Sequence, residues 1–130
     1  INRTGTDNFK FQKATIYMKM NQHENAISIF TELIDESTYN REVFSRRATS
    51  YMATKQYDDA KADYEKLQVF WPDAPGIYSN LAQIAEAKGQ SSEALKNYEL
   101  YLKYADPQSI PAEELQRVRT RVKQLQGSKL

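Results

Sequence analysis

Three alanines constrain what this chain can fold into more than any other feature. Ala26, Ala60 and Ala94 stand 34 residues apart, and four residues after each comes an aromatic: Phe30, Tyr64, Tyr98. Twelve residues before each lies another alanine (Ala14, Ala48, Ala82), and nine before each lies Tyr17, Tyr51 or Ala85. Four columns in register across three copies make an internal repeat. Within a copy the apolar residues recur at helical spacing. Residues 44–72 show this best, with Phe44, Ala48 and Tyr51, then Ala60, Tyr64 and Leu67, closed by Pro72. Two amphipathic helices joined by a short polar turn have this pattern.

The period and the columns resemble the tetratricopeptide repeat, a helical hairpin of about 34 residues. Copy two carries the pattern as Phe44, Ala48, Tyr51, Ala60, Tyr64 and Pro72. Copy three carries it as Tyr78, Leu81, Ala82, Ala94 and Tyr98, with Gly89 at the turn. It departs at Ala85, where the family prefers Tyr, and its Pro107 falls one residue late. Copy one keeps Ala14, Tyr17, Ala26 and Phe30. It has Lys10 and Lys13 at apolar positions and Thr38 in place of the terminal Pro. The resemblance implies an all-α, right-handed α-solenoid of three antiparallel helix hairpins with a capping helix. The repeats are expected at about 7–40, 41–74 and 75–108 of a single domain over 7–126. The closing helix is expected at 111–126, with a flexible lead-in at 1–6 and a flexible tail at 127–130.

Local signals refine this outline. Asp7 reads as the N-cap of a first helix over about 7–20, accepting a bond from an orphan backbone N–H. Lys10 and Lys13 are expected to point where a preceding repeat would pack, giving the polar outer face that a terminal repeat needs to stay soluble. Asn21 and Gly89 suit the left-handed conformation that ends a helix. Lys55 takes that place in copy two, so its turn is expected to close in another way. Asp73 is read as a cap and Pro75 as a first-turn residue of the fifth helix, and Ser91 as the cap of the sixth. In the last helix Leu115, Val118, Val122 and Leu125 share one face, opposite Glu113, Glu114, Arg117, Arg119, Arg121 and Lys123.

Composition narrows the function. Lys and Arg total 18 against 17 Asp and Glu, a formal net charge of +1, which argues against a dedicated nucleic-acid binder. No apolar run approaches the length of a membrane span, so membrane insertion is not expected. Cysteine is absent, which rules out disulfides and thiolate chemistry within the chain and leaves both cytoplasm and periplasm open as compartments for a soluble protein. The chain starts at Ile1 rather than Met, so it reads as processed or as a fragment of a larger protein. His23 is the only histidine, no Gly-rich phosphate loop is present, and no carboxylates form a recognisable constellation. The reading is therefore not an enzyme, with no catalytic residue, no metal and no cofactor.

The alanine and aromatic columns are explained by packing, so function is sought elsewhere. In the family the first helices of the hairpins line a concave groove. The resemblance transfers that role to Phe11, Thr15 and Met18 in copy one, Arg46, Thr49 and Met52 in copy two, and Asn80 and Gln83 in copy three. Ser79 and Glu86 fall on the same face. The set is mostly small and uncharged, with Met side chains that adapt to varied partners. It suits a peptide with one or two apolar anchors. Arg46 is expected to meet an acidic partner or a neighbour such as Glu42, and Arg47 to pack its stem while its guanidinium reaches outward. The carboxylate clamp by which some members hold chaperone tails would fall on Phe11, Thr15, Arg46, Gly76 and Asn80. None is the residue type required, so that clamp is not expected. The first expectation is a non-catalytic protein-interaction module that binds a peptide or protein segment in its groove. The alternative is a structural or assembly domain that packs against another copy, as a homo-oligomer, or against another domain of a longer parent. Exposure of Phe9, Ile27 or Trp71 would favour the alternative.

Overall fold

The computed structural model describes residues 5–36 and 41–127; Thr38, the first four residues and the last three lie outside them. Among the described residues there are seven helices and no strand. They are α1 (Gly5–Lys19), α2 (His23–Glu36), α3 (Arg41–Ala53), α4 (Tyr57–Phe70), α5 (Pro75–Ala87), α6 (Ser91–Tyr104) and α7 (Ala112–Gly127). The chain divides into two compact units, Ile1–Val69 and Phe70–Leu130.

In the first unit α2 packs on both α1 and α3. Ala14, Ala26, Phe30, Leu33 and Val43 form a buried cluster, with Phe11, Tyr17 and Met18 leaning on it. Ala14, Ala26, Ala48 and Ala60 are all 0 % exposed. A methyl group at each lets the helix backbones approach, and a larger side chain would force a tightly packed core apart.

Both hairpin turns of this unit close in the same way. Gln22 N–H donates to the Tyr17 carbonyl and Gln56 N–H to the Tyr51 carbonyl, each at 2.8 Å. Asn21 N–H donates to Met18 at 3.0 Å and Lys55 N–H to Met52 at 3.1 Å. This paired bonding is the Schellman ending, which requires a left-handed residue just past the helix. Asn21 (φ 61°) meets the requirement easily, and Lys55 (φ 60°) meets it despite its Cβ. The expectation of a different turn in copy two is thus corrected: the two carbonyls that must be satisfied impose the conformation. A further column emerges here, Gln22, Gln56 and Gln90, whose carbonyls accept from Ala26, Ala60 and Ala94 at the start of each second helix.

Arg47 also corrects its expectation. Its guanidinium turns inward, with Nε donating to Asp63 Oδ2 (2.9 Å) and Nη2 to Asp63 Oδ1 (2.7 Å). Nη1 donates to Thr31 Oγ1 at 3.1 Å. The group lies 5.7 Å from the Phe44 ring and 5.5 Å from that of Tyr51, so α2, α3 and α4 meet at one cation. Asp63 is 3 % exposed. Burial pushes its carboxyl up, and the bonds from Arg47 only partly offset this. Burial works against the charge of Arg47 as well, but Asp63 outweighs it and the guanidinium is held more firmly protonated than usual.

The second unit repeats the hairpin in α5 and α6 and closes it with α7. Ala82 and Ala94 are 0 % exposed. Gly89 (φ 72°) takes the left-handed place, with Gln90 N–H donating to Ala85 at 2.8 Å. Tyr78 stacks on Tyr104 with centroids 5.5 Å apart, and its hydroxyl donates to the Pro72 carbonyl. The Asp106 carboxylate accepts from Gln108 N–H and from the Ser109 hydroxyl, both at 3.0 Å, and so shapes the loop into α7. Leu115, Val118, Val122 and Leu125 are buried on a helix that packs against α6.

Three capping expectations are corrected. Asp7 lies within the first turn of α1, which begins at Gly5. There its charge still favours the positive end of the helix dipole. Ala74, not Asp73, is the N-cap of α5, with Pro75 in its first turn. Gln90, not Ser91, is the N-cap of α6 and makes no side-chain cap.

Candidate functional site

In the first unit the first helices of the two hairpins, α1 and α3, lie side by side. They bring together Phe11, Thr15 and Met18 with Arg46, Thr49 and Met52. The Arg46 guanidinium stands 5.1 Å over the centre of the Phe11 ring. Phe11 is held in turn by an edge contact with buried Phe30, centroids 5.9 Å apart at 61°. This chain of contacts fixes the ring before the cation stacks on it, and such stacking contributes roughly 0.5–2 kcal/mol depending on exposure. The aromatic ring is thus the neighbour that orients Arg46.

The threonines are less free than their chemistry suggests. Thr15 Oγ1 donates to the Phe11 carbonyl at 2.9 Å, and Thr49 Oγ1 to the Ser45 carbonyl at 3.0 Å. Thr49 also bonds the buried Tyr64 hydroxyl; burial pushes that phenol above its ordinary range, and the bond partly counters the shift. With their protons committed to their own helix, these side chains offer mainly methyl groups and acceptor lone pairs. Met18 and Met52 are half-buried at the far end of the same face. The arrangement is a small, largely apolar surface with one oriented cation.

In the second unit, considered by itself, Asn80 and Gln83 lie on α5. Asn80 Nδ2 donates to the Gly76 carbonyl (2.9 Å), and Gln83 Nε2 is 3.5 Å from Ser79 Oγ. Both keep their amide oxygens as acceptors. Glu86, one repeat beyond Met52, is engaged within the fold. It accepts from the Tyr98 hydroxyl and from Arg121 Nε, each at 2.5 Å, so it ties α5 to α6 and α7. Burial alone would raise its carboxyl, but these two bonds outweigh it and hold it below the usual carboxylate range. Burial and the Glu86 charge push Tyr98 up to about 12. The pairing of Arg121 with Glu86 and of Arg117 with Glu114 (2.6 Å) was not anticipated. The first spans 35 residues, beyond the reach of local patterning.

His23 Nδ1 lies 3.1 Å from the Oγ of fully buried Ser50, joining α2 to α3. Among the described residues no group of three or more His, Asp or Glu is placed to hold a metal ion, and no helix is long and apolar enough to cross a membrane. Phe9 is 70 % exposed, whereas Ile27 and Trp71 are half-buried.

Tetratricopeptide repeat family models match residues 8–38, 42–74 and 75–107. The chain belongs to the tetratricopeptide repeat family. No curated protein sequence matches it. Among solved structures, it is similar to the type III secretion chaperone SycD of Yersinia enterocolitica in complex with a peptide of the translocator YopD. That match has 20% identity, covers 98% of this chain and 97% of that one, and has a TM-score of 0.86. The Sgt2 tetratricopeptide domain from Aspergillus fumigatus matches with 19% identity over 97% of this chain and 83% of that one, with a TM-score of 0.76. The first tetratricopeptide domain of Spaghetti, bound to an HSP90 peptide, matches with 22% identity over 88% and 91%, TM-score 0.70. At these identities the likeness establishes the fold, an all-α tetratricopeptide solenoid.

Proposed function

We propose that this tetratricopeptide domain is a non-catalytic protein-interaction module and that the α1–α3 face receives a segment of its partner. The observation that carries this reading is the Arg46–Phe11 stack, a cation and a ring already oriented toward each other. Met18, Met52 and the threonine methyls surround it. A segment with an apolar side chain for the ring and methionines, and a carboxylate for Arg46, fits that surface. Preorganisation supplies the affinity, because a rigid scaffold loses little freedom on binding. Peptide complexes of similar folds, SycD with a translocator peptide and Spaghetti with an HSP90 peptide, support the reading. Asn80 and Gln83, on α5 of the second unit, are proposed as partner contacts of that unit by itself. Phe11 and Thr15 stand where a chaperone-tail clamp needs charged donors, so terminal carboxylates are not the proposed ligand.

The test is a pull-down from native lysate with the intact protein and with the double variant Arg46→Glu, Met52→Glu. Circular dichroism must first show that the variant is folded. A partner captured by the intact protein and lost from the folded variant supports the face. Equal capture by both proteins overturns it.

A further inference from the structure

The outer face of α1 exposes large apolar side chains, and of the two lysines expected to make it polar only Lys13 remains there. Lys10 turns to Glu32 of α2, its Nζ 2.7 Å from the carboxylate. Phe9, Ile16 and Met20 are left 70 %, 56 % and 58 % exposed. Phe9, Gln12, Lys13, Ile16 and Tyr17 line a hollow on this face.

The repeat itself supplies the comparison. One repeat on from Phe9 and Ile16 stand Val43 and Ser50, which are 3 % and 0 % exposed. Two repeats on stand Ile77 and Ile84, at 9 % and 1 %. On α3 the cover is α2: Val43 joins the cluster of Phe30 and Leu33, Ser50 meets His23, and Arg47 reaches Thr31. Lys13 is the counterpart of Arg47. It lies 6.0 Å from the Tyr17 ring, much as Arg47 lies against Tyr51. The counterpart of Asp63, however, is Ile29, so the hairpin offers Lys13 no carboxylate at that position.

We infer that the outer face of α1 docks an amphipathic helix of a partner protein, seated as α2 is seated on α3. Its apolar stripe covers Phe9 and Ile16, and an acidic side chain meets Lys13. A second copy of this chain fits less well. The outward residues of α7, among them Gln116, Arg119, Thr120 and Lys123, are exposed and polar. Two α1 faces brought together would set Lys13 against Lys13, a like-charge contact that disfavours pairing. This site is separate from the α1–α3 face.

The probe is a synthetic peptide with the α2 sequence, HENAISIFTELIDE, cross-linked through positions 24 and 28 to hold it helical. It carries both the required stripe (Ile27, Phe30, Leu33, Ile34) and acids (Glu32, Asp35). Titration followed by backbone NMR shifts is expected to perturb α1 along residues 9–20. Phe9→Glu and Lys13→Glu should each weaken binding about tenfold or more, a loss of about 1.4 kcal/mol. Arg46→Glu should leave it unchanged. Phe9 is exposed, so its variant is expected to keep the wild-type circular dichroism. No binding at peptide concentrations up to about 1 mM, the weak end of specific recognition, overturns the proposal. Shifts confined to other helices overturn it as well. So does a concentration-dependent dimer in light scattering that Phe9→Glu abolishes, since the occupant would then be a second copy.

Discussion

Copy three solves without charge a packing problem that copy two solves with an ion pair, and exchanging the solutions tests the energetics of the core. Arg47 corresponds to Leu81 and Asp63 to Asn97, whose amide donates to the Glu93 carbonyl at 3.0 Å. Asp63 is 3 % exposed and the Arg47 side chain 15 %. Arg47→Leu would leave a buried carboxylate without its partner, a change that costs about 3–5 kcal/mol. Asp63→Asn keeps one acceptor for the guanidinium, so its loss should be smaller, about 1.5–3 kcal/mol for hydrogen bonds to a charged group. The double variant removes both charges and should be more stable than Arg47→Leu alone. The sign with pH follows from the raised pKa of Asp63. A carboxyl raised in the fold contributes stability that is present below its unfolded value, about 3.9, and is lost as pH rises through the folded value. Arg47→Leu removes the bonds that pull this group back down, so its deficit should be small near pH 4 and full by about pH 7. Asp63→Asn should show no such slope. Urea unfolding followed by far-UV circular dichroism across this range reads both effects. Strictly additive losses, or an Arg47→Leu deficit that ignores pH, would refute the reasoning.

Other expectations follow from the turns and from the joint on Glu86. Lys55→Gly should stabilise the protein by about 0.5–1 kcal/mol, because glycine adopts the left-handed conformation without the Cβ penalty. Gly89→Ala should cost about 1 kcal/mol through backbone strain alone, since nothing lies within 4 Å of the added Cβ. Urea midpoints that do not move in either variant would show these turns to be unstrained. The lowered Glu86 contributes stability that is present above its unfolded pKa and lost as pH falls through the folded one. Melting temperature should therefore drop in acid, and Glu86→Gln should flatten that limb. Tyr98, pushed up to about 12, contributes stability present below about pH 10 and lost as pH rises toward 12. Tyr98→Phe should remove that alkaline loss from the melting curve.

The hairpins were legible because the repeat writes each packing rule three times. An alanine that lets two helices meet appears at 14, 48 and 82, and again at 26, 60 and 94, and all six are 0 % exposed. The turns were legible at Asn21 and Gly89 but not at Lys55. There the bonding pattern of the helix end overrides side-chain preference, because an unsatisfied carbonyl costs as much as the left-handed strain. Register placed Phe11, Thr15 and Met18 on one first helix and Arg46, Thr49 and Met52 on the next, and the structure sets those helices, α1 and α3, side by side. Its internal commitments were not legible. The stack of Arg46 on Phe11 and the tie of Thr49 to Tyr64 depend on which helix lies opposite.

The sequence by itself determined the helices, their pairing into hairpins and the membership of the family, since periodicity and small-residue columns are local and repeated. Only tertiary structure decided the fate of the charges. Arg47 turned inward because Asp63 and Thr31 converge on it from two other helices. Glu86 became a joint of the second unit because Arg121 reaches it from α7 and Tyr98 from α6. Lys10 left Lys13 as the remaining lysine beside Phe9 and Ile16 on the outer face of α1 by turning to Glu32. Long charged side chains reach partners that are remote in sequence, and which partner they find is fixed only once the helices have packed.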